Sequence, residues 1–165
     1  MTLISETTDT AVKDPRELVT ADLFELLVED IRRHQPLTQS YAERMMGQGL
    51  VFLKAYGTTL REARVDPSRW TRLVPSVPVD PAWHAFILRS EPYHAFCMEV
   101  AGCYMHHVPV TDEDIRSGAA LDRTIPLLEA TGYLVDMEFW NETAATNVLP
   151  ECSGLRPECS GLPLF

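Results

Sequence analysis

Apolar residues in the first third of the chain recur every three or four positions, which is the spacing of one helix face. A first set predicts a helix that begins near Pro15 and ends near Pro36, because proline cannot continue a helix. A second set follows Thr38, a suitable N-cap, and predicts a helix that Gly57 can close in a left-handed cap. The two sets comprise Leu18, Leu23, Leu26, Leu27 and Ile31, then Tyr41, Met45, Met46, Leu50, Phe52, Leu53 and Tyr56.

The segment from Asp80 onward predicts two short helices joined by a bend. Asp80 is a suitable N-cap, and Pro81 occupies the first helical position, where its missing N–H costs nothing. Pro92 pushes the residue before it out of the helical region, and Ser90 is well suited to cap a fresh start. We therefore expect a bent helix pair over residues 80–104.

The remaining segments predict connections and shorter helices. Three prolines at 66–79 indicate an extended connection whose tryptophan anchors it to the core. A helix is expected over 111–130, which Pro126 bends or breaks near Thr124. Asp136 can cap a final short helix.

These elements predict an all-α fold, a compact bundle of about five to six helices. We expect one helical domain at 15–147, preceded by a mobile leader at 1–14 that is rich in Thr, Ser and Asp. A tail at 148–165 contains the sequence Pro-Glu-Cys-Ser-Gly-Leu twice, at 150–155 and at 157–162. Two copies of six residues are too few for a solenoid, so we interpret the tail as a cysteine-bearing appendage.

The charge balance narrows the range of partners. Twenty-four acidic and fourteen basic side chains give a net charge of -10, which repels nucleic acid and anionic lipid headgroups. No apolar run approaches the roughly 20 residues that a membrane span needs, and the N-terminus lacks the features of a secretion signal. The sequence predicts a cytoplasmic protein that binds neither nucleic acid nor membrane. A protein or peptide partner and the oligomeric state stay open.

Histidine and cysteine are concentrated between Asp80 and Pro109. This stretch holds four of the five histidines and two of the four cysteines: His84, His94, Cys97, Cys103, His106 and His107. Without a signal peptide, the cysteines are expected to be thiols or metal ligands rather than a disulfide framework. Imidazole and thiolate are ligands that zinc, iron and copper prefer. The cluster therefore favours a metal site, with zinc or iron as the expected ion.

The predicted bend decides which of these residues can share an ion. On a straight helix, His84 and Cys97 would lie about 20 Å apart on different faces. If the helix folds back at the bend, the two arms become antiparallel and His84 can face Cys97. We expect His84, Cys97 and His107 to be ligands. The fourth position is left to Cys152, Cys159 or water, and water there would make the site an open, catalytic type.

Simpler interpretations of the same residues stay open. A cysteine on an apolar helix face is often a small buried hydrophobe, which applies to Cys97 and even more to Cys103. His84 can equally fill a niche in the core, and His94 and His106 are expected to be solvated. Asp80 is most simply a helix cap. The chain has no phosphate-binding glycine loop, nucleophile elbow, paired thiols or His-Glu-x-x-His motif, so no reaction is predicted.

Several motifs surround this cluster. They are the run Val79-Asp80-Pro81-Ala82-Trp83-His84, then Tyr93, Cys97, Gly102 and His107-Val108-Pro109, and downstream Arg123-Thr124 and Gly132-Tyr133-x-Val135-Asp136-x-x-x-Trp140. Together they resemble the helical region of glycine-rich domain-containing proteins and their short bacterial relatives, over roughly residues 20 to 142. The resemblance implies a helical bundle in which His84, Cys97 and His107 recur together, with Trp83 and Tyr93 as their packing frame. The cysteine repeat here replaces glycine-rich sequence, so the resemblance implies no function for the tail.

The sequence supports three hypotheses about function. The first is a small helical metal-binding protein with a site at His84, Cys97 and His107. The second is a non-enzymatic interaction or peptide-carrier module that displays the repeated cysteine tail. The third is a thiol redox sensor in which Cys152 and Cys159 oxidise against each other.

Overall fold

The computed structural model describes residues 11–108 and 113–141. These residues form helices α1 (Ala21–His34), α2 (Gln39–Val65), α3 (Asp80–Leu88), α4 (Ser90–Val100), α5 (Glu113–Arg116) and α6 (Ala119–Glu129). Three 3-10 helices, Pro15–Leu18, Pro67–Arg69 and Met137–Phe139, accompany them. The described ranges contain no strand, although Lys13 and Tyr133 pair in an isolated bridge. The predicted all-α bundle is confirmed. The predicted tail and most of the predicted leader lie outside these ranges, so the domain boundaries stay predictions.

Helix α2 is the central element, and it continues past the end predicted at Gly57. Its buried residues run from Ala42 to Ala63, so tertiary packing sets its length rather than the local glycine. Val100 of α4 packs against Gly57, where an added Cβ would lie 2.7 Å from Val100 Cγ2. The predicted cap at Gly57 is therefore wrong, because this glycine provides a close helix contact.

A second glycine of α2 makes the corresponding contact with α3. A Cβ added to Gly49 would lie 2.6 Å from the Cβ of Ala82, a distance that real Cβ atoms essentially never show. The two arms of the bent pair therefore pack directly on the α2 backbone, α3 at Gly49 and α4 at Gly57. Among the described helices, none is both long enough and apolar enough to cross a membrane.

The bent helix pair is confirmed, and its joint is Arg89. This residue has φ −92° and ψ 68°, which separates α3 from α4. Its guanidinium donates hydrogen bonds to Asp30 of α1 at 2.5 and 3.0 Å, a bidentate arrangement. The predicted caps Asp80 and Ser90 are wrong, because each is already the first residue of its helix. At the start of α3, the carbonyl oxygen of Ser76 accepts from the backbone N–H of Asp80, and no side-chain cap is present.

Two arginines of α2 hold the carbonyl groups at the end of α4. Arg64 donates to the carbonyl oxygen of Gly102 at 3.0 Å, and Arg61 donates to that of Glu99. Cationic side chains are favourable at a helix C-terminus, where carbonyls lack partners within the helix. Gly102 has φ +74°, which glycine adopts without strain, and the chain reverses there toward α3.

Helices α5 and α6 replace the single helix predicted after the bent pair. The break lies at Gly118, with φ +81°, and α6 continues through Pro126. Of the two effects expected of Pro126, a break near Thr124 is wrong, because this buried residue lies within α6 and ties it to the connection before α3. Its hydroxyl accepts from the backbone N–H of Val74 at 3.1 Å and donates to the carbonyl oxygen of Ala120 at 2.8 Å.

One buried amide fixes the end of the described chain to α2. Gln48 is 2% exposed. Its Oε1 accepts from Trp140 Nε1 at 2.8 Å and from the backbone N–H of Asp136 at 3.0 Å, and its Nε2 donates to the carbonyl oxygen of Leu134 at 3.0 Å. Asp136 caps the last element as expected, by accepting from the backbone N–H of Glu138 at 3.2 Å. That element is a short 3-10 helix.

Candidate metal centre

Helix α3 presents two potential ligands on one face. Asp80 and His84 are four residues apart, and side chains at this spacing lie one above the other on a helix. His107 approaches the same face from the segment that follows α4. Within the described residues, these three form a group whose ligand atoms all lie within 4.8 Å of one another.

The distances within this group fit a shared ion. Asp80 lies between the two imidazoles, with Oδ1 at 3.2 Å from His107 Nε2 and Oδ2 at 3.5 Å from His84 Nε2. Two atoms that each bind zinc at about 2.0–2.1 Å are at most about 4.2 Å apart. Both carboxylate–imidazole distances meet this limit, and the three ligand atoms all lie within 4.8 Å of one another. A shared ion would require side-chain rotations that bring all three onto it.

The group is enclosed on one side and open on the other. The side chains of Asp80 and His107 are 13% and 10% exposed, whereas that of His84 is 52% exposed. An ion held here would keep a face toward solvent. Three protein ligands with an open position are typical of catalytic zinc sites, and two histidines with one carboxylate are also typical of non-haem iron(II) sites.

Trp83 forms the inner wall of the site. It is fully buried, and its indole lies edge-on to the ring of His107 with 4.3 Å between centroids. Its Nε1 donates to Tyr93 Oη at 2.8 Å, and Tyr93 Oη donates to the carbonyl oxygen of Met105 at 2.6 Å. These buried hydrogen bonds join α3, α4 and the segment that carries His107. Trp83 and Tyr93 thus lie where a packing frame is expected.

Cys97 does not join the group formed by Asp80 and the two histidines. Its side chain is fully buried on α4 and carries a free thiol. Burial raises the pKa of this thiol, and hydrogen bonds with the Met105 backbone and the Tyr93 hydroxyl offset only part of that rise. This raised pKa disfavours the thiolate form that a metal ligand takes. The geometry favours the interpretation of Cys97 as a small buried hydrophobe.

The other candidate residues lie apart from the site. His94 and His106 are exposed, as expected of solvated histidines. Cys103 is 8% exposed and disulfide-bonded, so the expectation of a thiol or a ligand at this position is wrong. Cys152 and Cys159 lie outside the described residues. Their role as additional ligands stays a prediction.

Asp80 is the member of the group that the sequence interpretation assigned to another role. The spacing Asp80-x-x-x-His84 was the available signal, because it places a carboxylate beside an imidazole on any regular helix. The following proline favoured a cap instead. The structure contradicts that role, since Asp80 is already the first residue of α3, makes no side-chain cap, and its carboxylate faces the histidines.

The buried thiol and phenols predict a loss of stability at alkaline pH. Burial raises the pKa values of Tyr93, Tyr56 and Cys97 above their ordinary values. With a folded-state pKa above the unfolded value, the unfolded chain releases these protons first as the pH rises. The stabilisation is therefore complete below about pH 8.5, the ordinary pKa of a thiol, and is lost progressively above it.

Urea titrations at about pH 7, 9 and 10.5 measure this effect as a stepwise fall in the free energy of unfolding. Cys97→Ala is the control, because tyrosines ordinarily titrate near pH 10 and the thiol dominates the first step. The variant should lose less stability between the first two pH values than the wild type. An equal loss would assign the effect to another group.

The sequence profile of a family described as UCP032817-like matches residues 16–125. The match covers α1 to α5 and reaches into α6, so it includes all three residues of the group. No curated protein and no solved structure matches the chain. The family description names no activity, so the geometry of the site carries the functional argument.

Proposed function

We infer that this chain, which belongs to the UCP032817-like family, is a helical protein that binds a zinc or iron(II) ion through Asp80, His84 and His107. The observation that carries the proposal is the convergence of two imidazoles and one carboxylate within 4.8 Å. Two of these ligands, His84 and His107, are those expected from the sequence. Asp80 takes the place expected for Cys97.

The chemistry of the three donors supports this choice of ion. Imidazole nitrogen and carboxylate oxygen are common to zinc and non-haem iron(II) sites, and neither donor selects strongly for the softer copper(I). The carboxylate supplies a negative charge that partly neutralises a divalent cation. Its low exposure strengthens that attraction, because fewer water molecules screen it.

The open face would give such an ion a free coordination position, so its role would not be limited to stabilising the fold. Zinc or iron with a free coordination position supplies Lewis-acid chemistry to a bound water or a substrate oxygen. A structural zinc site is instead closed by four protein ligands. The exposed edge of His84 is the side from which a small oxygen-containing ligand would approach.

Binding of cobalt(II) to the wild-type protein tests the proposal. Cobalt(II) replaces zinc in sites of this kind and reports its ligands through visible absorption. The protein is stripped with a chelator, dialysed and titrated with cobalt(II) and with zinc by calorimetry and absorption spectroscopy. We expect stoichiometric binding of one ion that the chelator reverses.

The same spectra identify the donor atoms. Cobalt(II) bound only by Asp80, His84 and His107 is expected to give weak visible bands. A thiolate ligand would add an intense near-ultraviolet charge-transfer band. Absence of binding contradicts the proposed function. Binding with the charge-transfer band would retain a metal site but restore a cysteine such as Cys97 to the ligand set.

A further inference from the structure

The proposed ligands come from two separate parts of the chain. Asp80 and His84 lie on α3, whereas His107 lies in the segment that follows α4. An ion binds all three only if this segment keeps a fixed distance from α3, because metal–ligand distances tolerate only about 0.2 Å of variation. Some contact must therefore hold the two parts in register.

Tyr93 of α4 lies between these two parts. Its hydroxyl oxygen accepts from Trp83 Nε1 at 2.8 Å and donates to the carbonyl oxygen of Met105 at 2.6 Å. Trp83, Tyr93 and Met105 are each 0% exposed. Water therefore has no access to replace either bond. Loss of the hydroxyl would leave the indole N–H of Trp83 and the carbonyl oxygen of Met105 without this partner, and would also remove the hydrogen bond with the Cys97 thiol.

Each end of this hydrogen-bond chain lies next to a ligand. Trp83 directly precedes His84, and its indole lies edge-on to His107 at 4.3 Å between centroids. Met105 lies two residues before His107. A phenolic hydroxyl can accept from the indole and donate to the carbonyl at the same time, and phenylalanine can do neither.

We propose that Tyr93 is a positioning residue of the metal centre, whose hydroxyl sets the spacing between α3 and the His107 segment without touching the ion. This inference rests on the proposed metal-binding function. The ring and the hydroxyl have separable roles. The ring packs edge-on against Phe86 with 5.3 Å between centroids, so it contributes to the core without the hydroxyl.

Tyr93→Phe tests the proposal, because it keeps the ring and removes the hydroxyl. We expect the affinity for cobalt(II) and zinc to fall about 10- to 100-fold, the range for loss of a residue that orients a metal ligand. Tyr104→Phe is the matched control. Tyr104 packs edge-on against Tyr93 with 5.4 Å between centroids, but it is not part of the hydrogen-bond chain. Its variant should bind metal as the wild type does.

A second control separates positioning from general loosening of the fold. Leu128→Ala removes a fully buried side chain of α6, a helix whose main contacts are with α2 and α5. This variant should be less stable but should retain wild-type affinity in its folded fraction. The cobalt(II) spectrum gives an independent readout, since Tyr93→Phe should change its shape and Leu128→Ala should not.

The outcomes distinguish this inference from the function on which it rests. Wild-type binding together with unchanged affinity and spectrum in Tyr93→Phe overturns the positioning role and leaves the metal site standing. Equal losses of affinity in Tyr93→Phe and Leu128→Ala also overturn it. Absence of binding by the wild type overturns both proposals. A selective loss in Tyr93→Phe supports both.

Discussion

Replacing His107 with alanine is expected to abolish measurable binding of cobalt(II) and zinc. The loss should exceed the roughly 10- to 100-fold that follows removal of a residue that only orients a ligand. His107 is the least exposed of the three proposed ligands, with 10% of its side chain accessible. Without it, Asp80 and His84 remain, and two protein ligands fall short of the three that catalytic zinc sites use. Calorimetric titration of the chelator-stripped variant measures the effect.

The neighbouring histidine provides the matched control. His106 is exposed and lies outside the group, so His106→Ala should bind metal as the wild type does. Asp80→Asn is a second test variant, because it keeps the shape of the side chain but removes the negative charge. It should weaken metal binding. Similar affinities in His107→Ala and His106→Ala would contradict the proposed ligand set.

Replacing Trp83 with alanine is expected to lower the free energy of unfolding by about 3–5 kcal/mol, the range for truncating a large aromatic residue in a core. Trp83 is fully buried and packs against Phe52 and Tyr56, with 5.3 and 5.9 Å between ring centroids. The substitution also removes the indole donor to Tyr93. Small proteins have total stabilities of about 5–15 kcal/mol, so this loss is large. Urea denaturation monitored by circular dichroism measures it.

Trp70→Ala is the control for this second prediction. Trp70 is only partly buried and meets Tyr56 edge-on with 6.3 Å between centroids, so its truncation should cost less than half as much. Trp83→Phe retains much of the buried surface, and it provides a folded variant with an intermediate loss. Equal losses at Trp83 and Trp70 would show that burial in the inner wall is not what makes Trp83 important.

Apolar periodicity predicted α1 and α2, because a helix that buries one face must repeat its apolar residues. Prolines predicted the end of α1 near Pro36 and, at Pro81 and Pro92, the bent pair. The predicted helix end at Gly57 is wrong because a glycine can either cap a helix or allow another helix to approach closely. The contact of Gly57 with Val100, which exists only in the folded protein, shows that the second role applies. Pro126 misplaced the break for a similar reason, since α6 is held through it by the buried Thr124.

The candidate site was only partly predictable for a related reason. Residue spacing placed Cys97 on the inward face of its helix, and the predicted bend allowed His84 to face it, but neither gives a distance between side chains on different helices. That distance depends on how α3 and α4 cross α2, which is set by the close contacts at Gly49 and Gly57. As a result, Cys97 lies against Tyr93 and away from the imidazoles.

The hypotheses about the tail and the wider family stay predictions. Peptide display and thiol redox sensing both depend on Cys152 and Cys159, which lie outside the described residues. The resemblance to glycine-rich domain-containing proteins likewise stays a prediction. Intact-mass measurement of the native and denatured protein would report bound metal and disulfides together, and so would separate these hypotheses from the proposed metal site.

The unequal exposure of the three side chains indicates the route by which an ion would enter and leave the proposed site. His84 reaches solvent, and exposed side chains change rotamer within picoseconds to nanoseconds, whereas Asp80 and His107 are confined by packing. An ion bound by these residues would therefore reach the site past His84 and leave by the same side, without opening of the helices. Dissociation of the ligands would then set the exchange rate of the ion. Occupancy of the proposed site would follow the free metal concentration around the protein rather than the history of its folding.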